Sequence, residues 1–338
     1  MAARARWIHS ARADVLVAGA WIPFAVAAHV AQGDRNAIGL VLSATFLVSF
    51  VHQPLTLPLV YGDPTERSER PTIYRWSPLV FVAAATLGLG VSVAAVAVIA
   101  GLWNAEHTLM QRFGITRIYG RKAGEADGRL ERALLVSWLL LAAIAAAADA
   151  ATEEHVARLP LGTVNRSGLD LLAGLRPVAQ VLLPAVVIAA AVLTARWVRR
   201  EARAWRARAG NPAKWVYVGG TALLIGLMVV DPVAGFAGYV GGHALEYFVI
   251  VHRSLGSRYA DGSGGAVGRV VRAPGGRRRF FAGYALVMAA LLGGLAWYGS
   301  DRLYLTAVLV LGGMHVLYDG FIWKLRKPSV ARGLVTAQ

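Results

Sequence analysis

The sequence predicts an all-α integral membrane protein, a polytopic bundle of about ten transmembrane helices. Of its 338 residues, 57% are hydrophobic and 16% are charged, whereas about a quarter of the residues of a soluble domain are charged. The mean hydropathy is +0.51. The apolar residues form runs of about 18 or more, the length that crosses a bilayer. Basic residues are concentrated between these runs, as the positive-inside rule expects.

The third hydrophobic run, 78–118, is too long for one crossing, which needs about 20 residues. Basic residues flank it on both sides, including Arg75 before it and Arg121 after it. Both flanks are expected in the cytoplasm, so the chain must cross the membrane an even number of times between them. A hairpin that turns near 100–103 meets this requirement. The predicted helices comprise residues 14–32, 37–60, 78–98, 101–118, 131–152, 176–198, 214–230, 233–254, 280–299 and 302–324.

With ten helices, every strongly basic loop lies on the same side of the membrane. These loops are the N-terminus, 119–130, 199–213, 255–279 and the C-terminal tail. The expected arrangement is therefore one integral-membrane domain, 1–338, with both termini cytoplasmic, in a membrane of the bacterial inner-membrane type. The glycine-rich stretch 256–276 is expected to be a flexible cytoplasmic loop.

Net charge and cysteine content narrow the choice of partners and chemistry. The formal net charge is +16, but because the basic residues lie in loops it favours anionic membrane lipids over nucleic acid as the partner. The sequence has no cysteine. This excludes disulfides, thiolate metal ligands and a cysteine nucleophile.

Histidines in the predicted helices are the main functional signal. Four of the eight histidines, His52, His107, His243 and His315, lie eight to twelve residues before the predicted inner ends of their helices. At 1.5 Å per residue this is about 12–18 Å, so the four imidazoles are expected in one layer. A fifth, His252, points to the other face of its helix from His243 and is expected at the interface.

Polar neighbours on the same helix faces strengthen the metal hypothesis. Asp319 follows His315 by four residues and Glu246 follows His243 by three, spacings by which bundle helices present ligands inward. A charge in the membrane costs about 2.5–3.5 kcal/mol even on the lenient scale, which a metal or a partner would offset. The predicted metal ligands are His52, His107, His243, His315, Glu246 and Asp319. The predicted orienting or proton-delivering residues are Glu106, Gln111, Tyr318, Asp63 and His252.

The same residues can also have purely structural roles. A single histidine in a membrane helix often serves only as a hydrogen-bond partner between helices. Asp319 alternatively pairs with Lys324 or Arg326 near the interface. The residue pair Gly241 and Gly242 is expected to allow close helix packing.

Mixed imidazole and carboxylate ligands favour non-haem iron, with one or two ions. Iron with open positions activates O₂, so the leading hypothesis is an oxygenase- or desaturase-type enzyme. Its substrate would be a lipophilic molecule that enters from the bilayer, and an electron donor is a potential partner. Three alternatives stay open: a b-haem protein, a zinc intramembrane hydrolase and a proton-coupled transporter.

Single histidines spread over several membrane helices give the chain an architectural resemblance to a known family. With its local pieces His243–Glu246 and His315–Asp319, it resembles the polytopic, histidine-rich non-haem iron oxygenases of the Brp/Blh carotenoid-cleaving dioxygenase type. The resemblance implies a membrane helical bundle, histidine-bound iron and an apolar substrate. The HxxxH and HxxHH boxes of the membrane desaturases and hydroxylases are absent.

Overall fold

The computed structural model describes residues 6–159 and 164–336, without the side chains of 164–168, 329, 332 and 336. Residues 1–5 of the predicted basic N-terminus, residues 160–163 and the last two residues of the tail lie outside this description. Within the described ranges the chain is all-helical and contains no strand, which confirms the predicted fold class.

The α-helices, numbered in chain order, have the following bounds: α1 Ala11–Ala18, α2 Ile22–Ala31, α3 Arg35–His52, α4 Thr56–Tyr61, α5 Pro64–Glu69, α6 Pro71–Val91, α7 Val93–Lys122, α8 Arg129–Ala148, α9 Ala150–Arg158, α10 Val164–Arg206, α11 Pro212–Val230, α12 Pro232–Arg258, α13 Gly265–Arg272, α14 Gly276–Tyr298, α15 Asp301–Ile322 and α16 Pro328–Ala331. A 3₁₀ turn, Gln53–Leu55, joins α3 to α4, and a π-helical turn, Arg332–Thr336, follows α16.

Nine helical segments of the described chain are long and apolar enough to cross a membrane, which makes this an integral membrane protein. They are Ala11–Ala31, Arg35–Tyr61, Pro71–Val91, Val93–Lys122, Arg129–Ala148, Leu169–Arg206, Pro212–Val230, Gly276–Tyr298 and Asp301–Ile322. The predicted ninth and tenth helices correspond to α14 and α15. The predicted eighth corresponds to α12, which does not belong to these nine.

The long run 78–118 is divided into two helices at Ser92, earlier than the predicted turn at 100–103. Ser92 has extended backbone, with ψ 112°, between α6 and α7. Phe81 and Trp103, eleven residues to either side of it, stack with ring centroids 5.9 Å apart. This symmetric contact means that α6 and α7 fold back on each other as a hairpin.

The segment predicted to be a flexible loop, 256–276, has regular structure. It contains α13, and the side chain of Tyr259 just before that helix is fully buried. Gly264, the N-cap of α13, has φ +89°, a conformation that favours glycine. The glycines therefore form tight turns around a short helix.

Where the sequence predicts one domain, the described helices group into two compact units. Unit 1 is formed by the described parts of 1–47 and 105–246, and unit 2 by those of 48–104 and 247–337. Each unit is treated separately below.

Unit 1 is held together by close packing of α2 on α12 and of α8 on α10 and α11. A Cβ atom at Gly242 would lie 2.8 Å from the Cβ of Trp21, so only glycine permits this approach of α2, as expected for a small-residue interface. Elsewhere, Leu134 of α8 belongs to a buried cluster with Trp197 and Val218. These contacts fix the depth of α12 and of the histidine it carries.

Unit 2 has a core rich in aromatic side chains. Tyr74, Tyr247, Tyr259 and Tyr318 are all buried in one cluster with Leu59. Buried tyrosines need hydrogen-bond partners for their hydroxyl groups. The core of this unit therefore contains polar networks, and the candidate metal centre lies in one of them.

Candidate metal centre

The break between α3 and α4 positions two side chains of the centre. Pro54 has no N–H and cannot continue the α-helical hydrogen bonds, and the chain makes a 3₁₀ turn there. His52 is the last residue of α3 and Thr56 is the first of α4. Both side chains are 0% exposed.

His52 meets His315 of α15 in the interior of unit 2. Their Nε2 atoms are 3.2 Å apart, and the ring planes are perpendicular, at 88°, with centroids 4.7 Å apart. Nitrogens that each lie about 2.0–2.1 Å from one ion and 3.2 Å apart subtend about 100–106° at that ion. The pair can therefore bind one metal ion from two sides of a coordination sphere.

Asp319 supplies a carboxylate beside the imidazole pair. Its Oδ2 lies 3.7 Å from Nε2 of His315, and its side chain is 7% exposed. The other oxygen, Oδ1, accepts hydrogen bonds from Thr56 at 3.0 Å and from Tyr247 at 2.9 Å. The carboxylate is thus held by one oxygen while the other faces the histidines.

Thr56 also contacts His315. Its Oγ1 lies 2.7 Å from Nδ1 of His315, 2.8 Å from the Tyr247 hydroxyl and 3.0 Å from Oδ1 of Asp319. When the Thr56 proton is donated to Asp319, Nδ1 of His315 must donate to Thr56. Nε2 of His315 then carries the lone pair that a metal ligand needs.

The alternative partner considered for Asp319, Lys324, makes a different contact: its ammonium lies over the Phe321 ring, 5.2 Å from the centroid. Within unit 2, His315 therefore lies against both a second imidazole, His52, and a carboxylate, Asp319. Two histidines and one carboxylate are the residue types of a common non-haem iron ligand set. Tyr247 and Trp323 enclose this group, since Trp323 Nε1 donates to the Tyr247 hydroxyl at 3.3 Å.

The other two predicted histidine ligands, His107 and His243, form a pair in unit 1. Their rings are perpendicular, at 89°, with centroids 5.1 Å apart. Both are buried, at 7% and 1% exposed. The hypothesis that all four histidines bind one metal extends over both units and stays a prediction.

Glu246 is the centre of a buried ion pair in unit 1. Its Oε1 lies 2.9 Å from Nη2 of Arg112, and neither side chain is exposed. Its Oε2 accepts hydrogen bonds from Tyr217 at 3.0 Å and from Gln111 at 3.3 Å. Both oxygens are thus engaged by protein groups.

Gln111 connects this ion pair to a histidine, since its amide also donates to the backbone oxygen of His243 at 3.1 Å. Gln111 therefore holds the backbone of a histidine, which is compatible with its predicted orienting role. Arg112 was missed from the sequence, although a lone arginine beside Gln111 in an apolar helix is the kind of residue that needs a buried partner.

The remaining predicted orienting residues lie in other surroundings. Glu106 is exposed on α7. The Tyr318 hydroxyl lies 2.7 Å from both Ser77 and Tyr61. Asp63 caps the N-terminus of α5 through its side chain. His252 packs against Phe281, with ring centroids 5.8 Å apart.

The helix ends that follow the histidines differ from the predicted ones. His52 and His315 lie nine and seven residues before the last residues of α4 and α15, or about 10–14 Å. His107 and His243 each lie fifteen residues before the last residues of α7 and α12, or about 22 Å, because these two helices extend beyond their predicted ends. The single layer of four imidazoles stays a prediction.

One acidic cluster in unit 1 resembles a cation site but holds an ammonium group. Glu125, Glu131 and Glu201 each place a carboxylate oxygen 2.7 Å from Nζ of Lys214. The Lys214 side chain is completely buried. The cluster is therefore an internal salt bridge that ties α8, α10 and α11 together.

No family model, no curated protein and no solved structure matches this chain. Function is accordingly inferred from the geometry of the side chains.

Proposed function

We propose that this chain is a membrane-embedded non-haem iron enzyme that activates O₂ on a lipophilic substrate. The observation that carries the proposal is the buried group of His52, His315 and Asp319 within unit 2. Its Nε2 atoms are 3.2 Å apart, and the carboxylate lies 3.7 Å from one of them. Two histidines and one carboxylate leave open positions at iron for O₂ and substrate.

The protein groups have distinct roles in this proposal. His52, His315 and Asp319 bind the ion, which supplies the O₂-activating chemistry. Thr56 keeps the proton of His315 on Nδ1, and with Tyr247 it holds Oδ1 of Asp319 so that Oδ2 is directed to the metal. Burial of the whole group excludes bulk water and suits a substrate that arrives from the bilayer.

The substrate and the electron requirement follow from the reaction class. Cleavage of a carbon–carbon double bond by O₂ uses both oxygen atoms in the products and needs no outside electrons. Hydroxylation or desaturation needs two electrons from a donor protein. An isoprenoid, a carotenoid or a fatty acyl chain fits the apolar surroundings.

His107 and His243 keep their place as proposed ligands, as a pair within unit 1. Their perpendicular rings and nearly complete burial support this role. Glu246 acts in this proposal through Gln111, which holds the backbone of His243. It is a positioning residue.

Haem fits the unit 2 pair less well than a bare metal ion. A haem held by two histidines would need its iron between their nitrogens. His52 and His315 contact each other directly at 3.2 Å. Zinc would fit the same three ligands, so a hydrolase is the second candidate function.

The proposed topology has ten crossings with both termini cytoplasmic, in a membrane of the bacterial inner-membrane type. The nine apolar segments supply nine crossings, and α12, with 27 residues, supplies the tenth. At 1.5 Å per residue α12 is about 40 Å long, which exceeds the hydrocarbon thickness. If α12 did not cross, the two termini would lie on opposite sides.

Metal analysis of the purified protein tests the function. The full chain is purified in detergent without chelator, and its metal content and absorption spectrum are measured. Iron at one or two ions per chain without a Soret band is the expected result. A Soret band would replace the proposal with haem, zinc alone would favour the hydrolase, and no metal would favour a proton-coupled transporter.

A reporter experiment tests the topology. A periplasm-active or a cytoplasm-active enzyme is fused to the C-terminus, and a second pair of fusions reports on the N-terminus. Cytoplasmic activity at both ends is expected from an even number of crossings. Opposite locations would contradict the tenth crossing.

A further inference from the structure

A cavity of about 390 Å³ in unit 2 opens beside the start of α14. The side chains of His252, Arg277 and Arg278 line it together with Val271. The backbone of Gly275 and Gly276 completes the wall. The cavity therefore combines two guanidinium groups and an imidazole with the N-terminus of a helix that begins at Gly276.

The charge around this cavity is uncompensated. Arg277 and Arg278 are exposed, and within the described ranges neither forms an ion pair or a hydrogen bond. The segment 262–300 contains five arginines and no acidic residue. Like charges repel unless an anion lies between them, and the positive end of the α14 dipole adds to the same field.

The glycines at this corner have a structural explanation of their own. Gly275 has φ +66°, and a Cβ at Gly276 would lie 2.2 Å from the backbone oxygen of Val270. They shape the turn between α13 and α14. The inference therefore rests on the cationic cavity and on its position.

That position is the first turn of α14, one of the helices long and apolar enough to cross a membrane. Downstream of the cavity, α14 exposes large apolar side chains, with Leu286 and Val287 72% and 65% exposed. At its other end Trp297 is 89% exposed, as in the aromatic belts of membrane helices. The nineteen residues from Arg279 to Trp297 span about 27 Å, close to the hydrocarbon thickness.

We propose that this cavity binds the phosphate of an anionic phospholipid. The two arginines and His252 contact the phosphate, and an acyl chain lies along the exposed apolar face of α14. A free phosphate ion would use only the first of these surfaces. The combination of a cationic cavity and an adjoining apolar helix face is what identifies a lipid as the ligand.

Arg279 provides a matched control. It lies in the same first turn of α14, is also exposed and carries the same charge, but it does not line the cavity. A general attraction of basic residues to the membrane surface would depend equally on all three arginines. A specific site depends on Arg277 and Arg278 alone.

Native mass spectrometry of the full-length protein in detergent tests this site, with phosphatidylglycerol and phosphatidylcholine as probes. We expect preferential binding of phosphatidylglycerol, weakened about fivefold in Arg277→Gln and in Arg278→Gln. Binding should change less than about twofold in Arg279→Gln. Arg278→Lys should retain most of it, because lysine keeps the positive charge.

Three results would overturn the proposal. Equal loss in all three glutamine variants would mean general surface charge. Equal binding of both lipids would mean that no anionic site exists. Full displacement of the lipid by millimolar inorganic phosphate would mean that the cavity takes a free ion and makes no use of the apolar face.

Discussion

His52 and His315 place their Nε2 atoms 3.2 Å apart although 263 residues separate them in the chain. His52 is the last residue of α3, directly before the turn that contains Pro54, whereas His315 lies in the interior of α15. Two imidazole nitrogens that face each other in a buried site either share a proton or bind a metal. The proposed function takes the second option, and the first prediction separates the two.

Removal of either imidazole is expected to abolish metal binding in unit 2. His52→Ala and His315→Ala should each lose bound metal while the protein still inserts and stays monodisperse, because a ligand set of three is reduced to two. His107→Ala should also lose metal if the unit 1 pair binds an ion. Metal per chain is measured by elemental analysis. His252→Ala, at the lipid cavity, is the control and should keep its metal. Full retention of metal in both His52→Ala and His315→Ala would exclude the proposed centre.

Loss of the Thr56 hydroxyl is expected to weaken metal affinity without removing a ligand. Thr56→Val deletes the hydrogen bonds to His315 Nδ1 and Asp319 Oδ1 and leaves both ligands less well oriented. Substitutions of such orienting groups typically cost about 10–100-fold in metal affinity. Competition with a chelator of known affinity measures the change. Thr56→Ser keeps the hydroxyl and should bind as the parent does, and identical affinities in all three proteins would contradict the assigned role.

The ion pair of Arg112 and Glu246 is expected to matter for stability more than for metal ligation. Both side chains are 0% exposed, so Arg112→Met leaves a buried carboxylate without its counter-ion. Breaking a buried pair on one side costs about 3–5 kcal/mol. The double variant Arg112→Met/Glu246→Met should recover much of this loss, which thermal unfolding in detergent can measure.

The same pair tests the predicted ligand role of Glu246. Because Arg112, Tyr217 and Gln111 engage both of its oxygens, Glu246→Gln should keep its metal. Complete loss of metal from a folded Glu246→Gln protein would instead mean that the carboxylate binds the ion directly.

Asp231, between α11 and α12, is expected to make unit 1 less stable in acid. Burial raises the pKa of its carboxyl, but hydrogen bonds from His29, from the Ala234 N–H and from Gln32 outweigh burial, and the pKa lies below its usual value. A group with a lowered pKa stabilises the fold above its unfolded pKa of about 3.9 and loses this effect as the pH falls through the folded value.

Two variants isolate this effect. Asp231→Asn keeps an N-cap for α12, since asparagine caps as well as aspartate does, but it has no charge to titrate. Its unfolding midpoint should be lower than the parent's at pH 7 and should change less between pH 5 and 3. Asp231→Ala should lose the cap as well and be less stable at both values. An unchanged pH slope in Asp231→Asn would show that other groups cause the acid sensitivity.

The sequence was sufficient for the properties that depend on each segment separately. Hydropathy reports whether a helix is surrounded by lipid and protein or by water, so the all-α fold and the membrane-crossing segments followed from composition and run length. Helical spacing placed His315 and Asp319 on one face, and the structure has them 3.7 Å apart. The position of the turn did not follow from the sequence in this way. The predicted turn was at 100–103, but the chain turns at Ser92, inside a uniformly apolar run.

Tertiary structure decided which of these faces meet. Nothing in the pattern of α7 or α12 specifies that Arg112 pairs with Glu246, or that His52 contacts His315 while His107 contacts His243. Such pairings depend on the packing of helices that are distant in the chain, and packing is set by the summed shape of many side chains, such as Gly242 against Trp21. The sequence by itself therefore determined the membrane fold and the candidate ligand types, and the packing determined which side chains lie together.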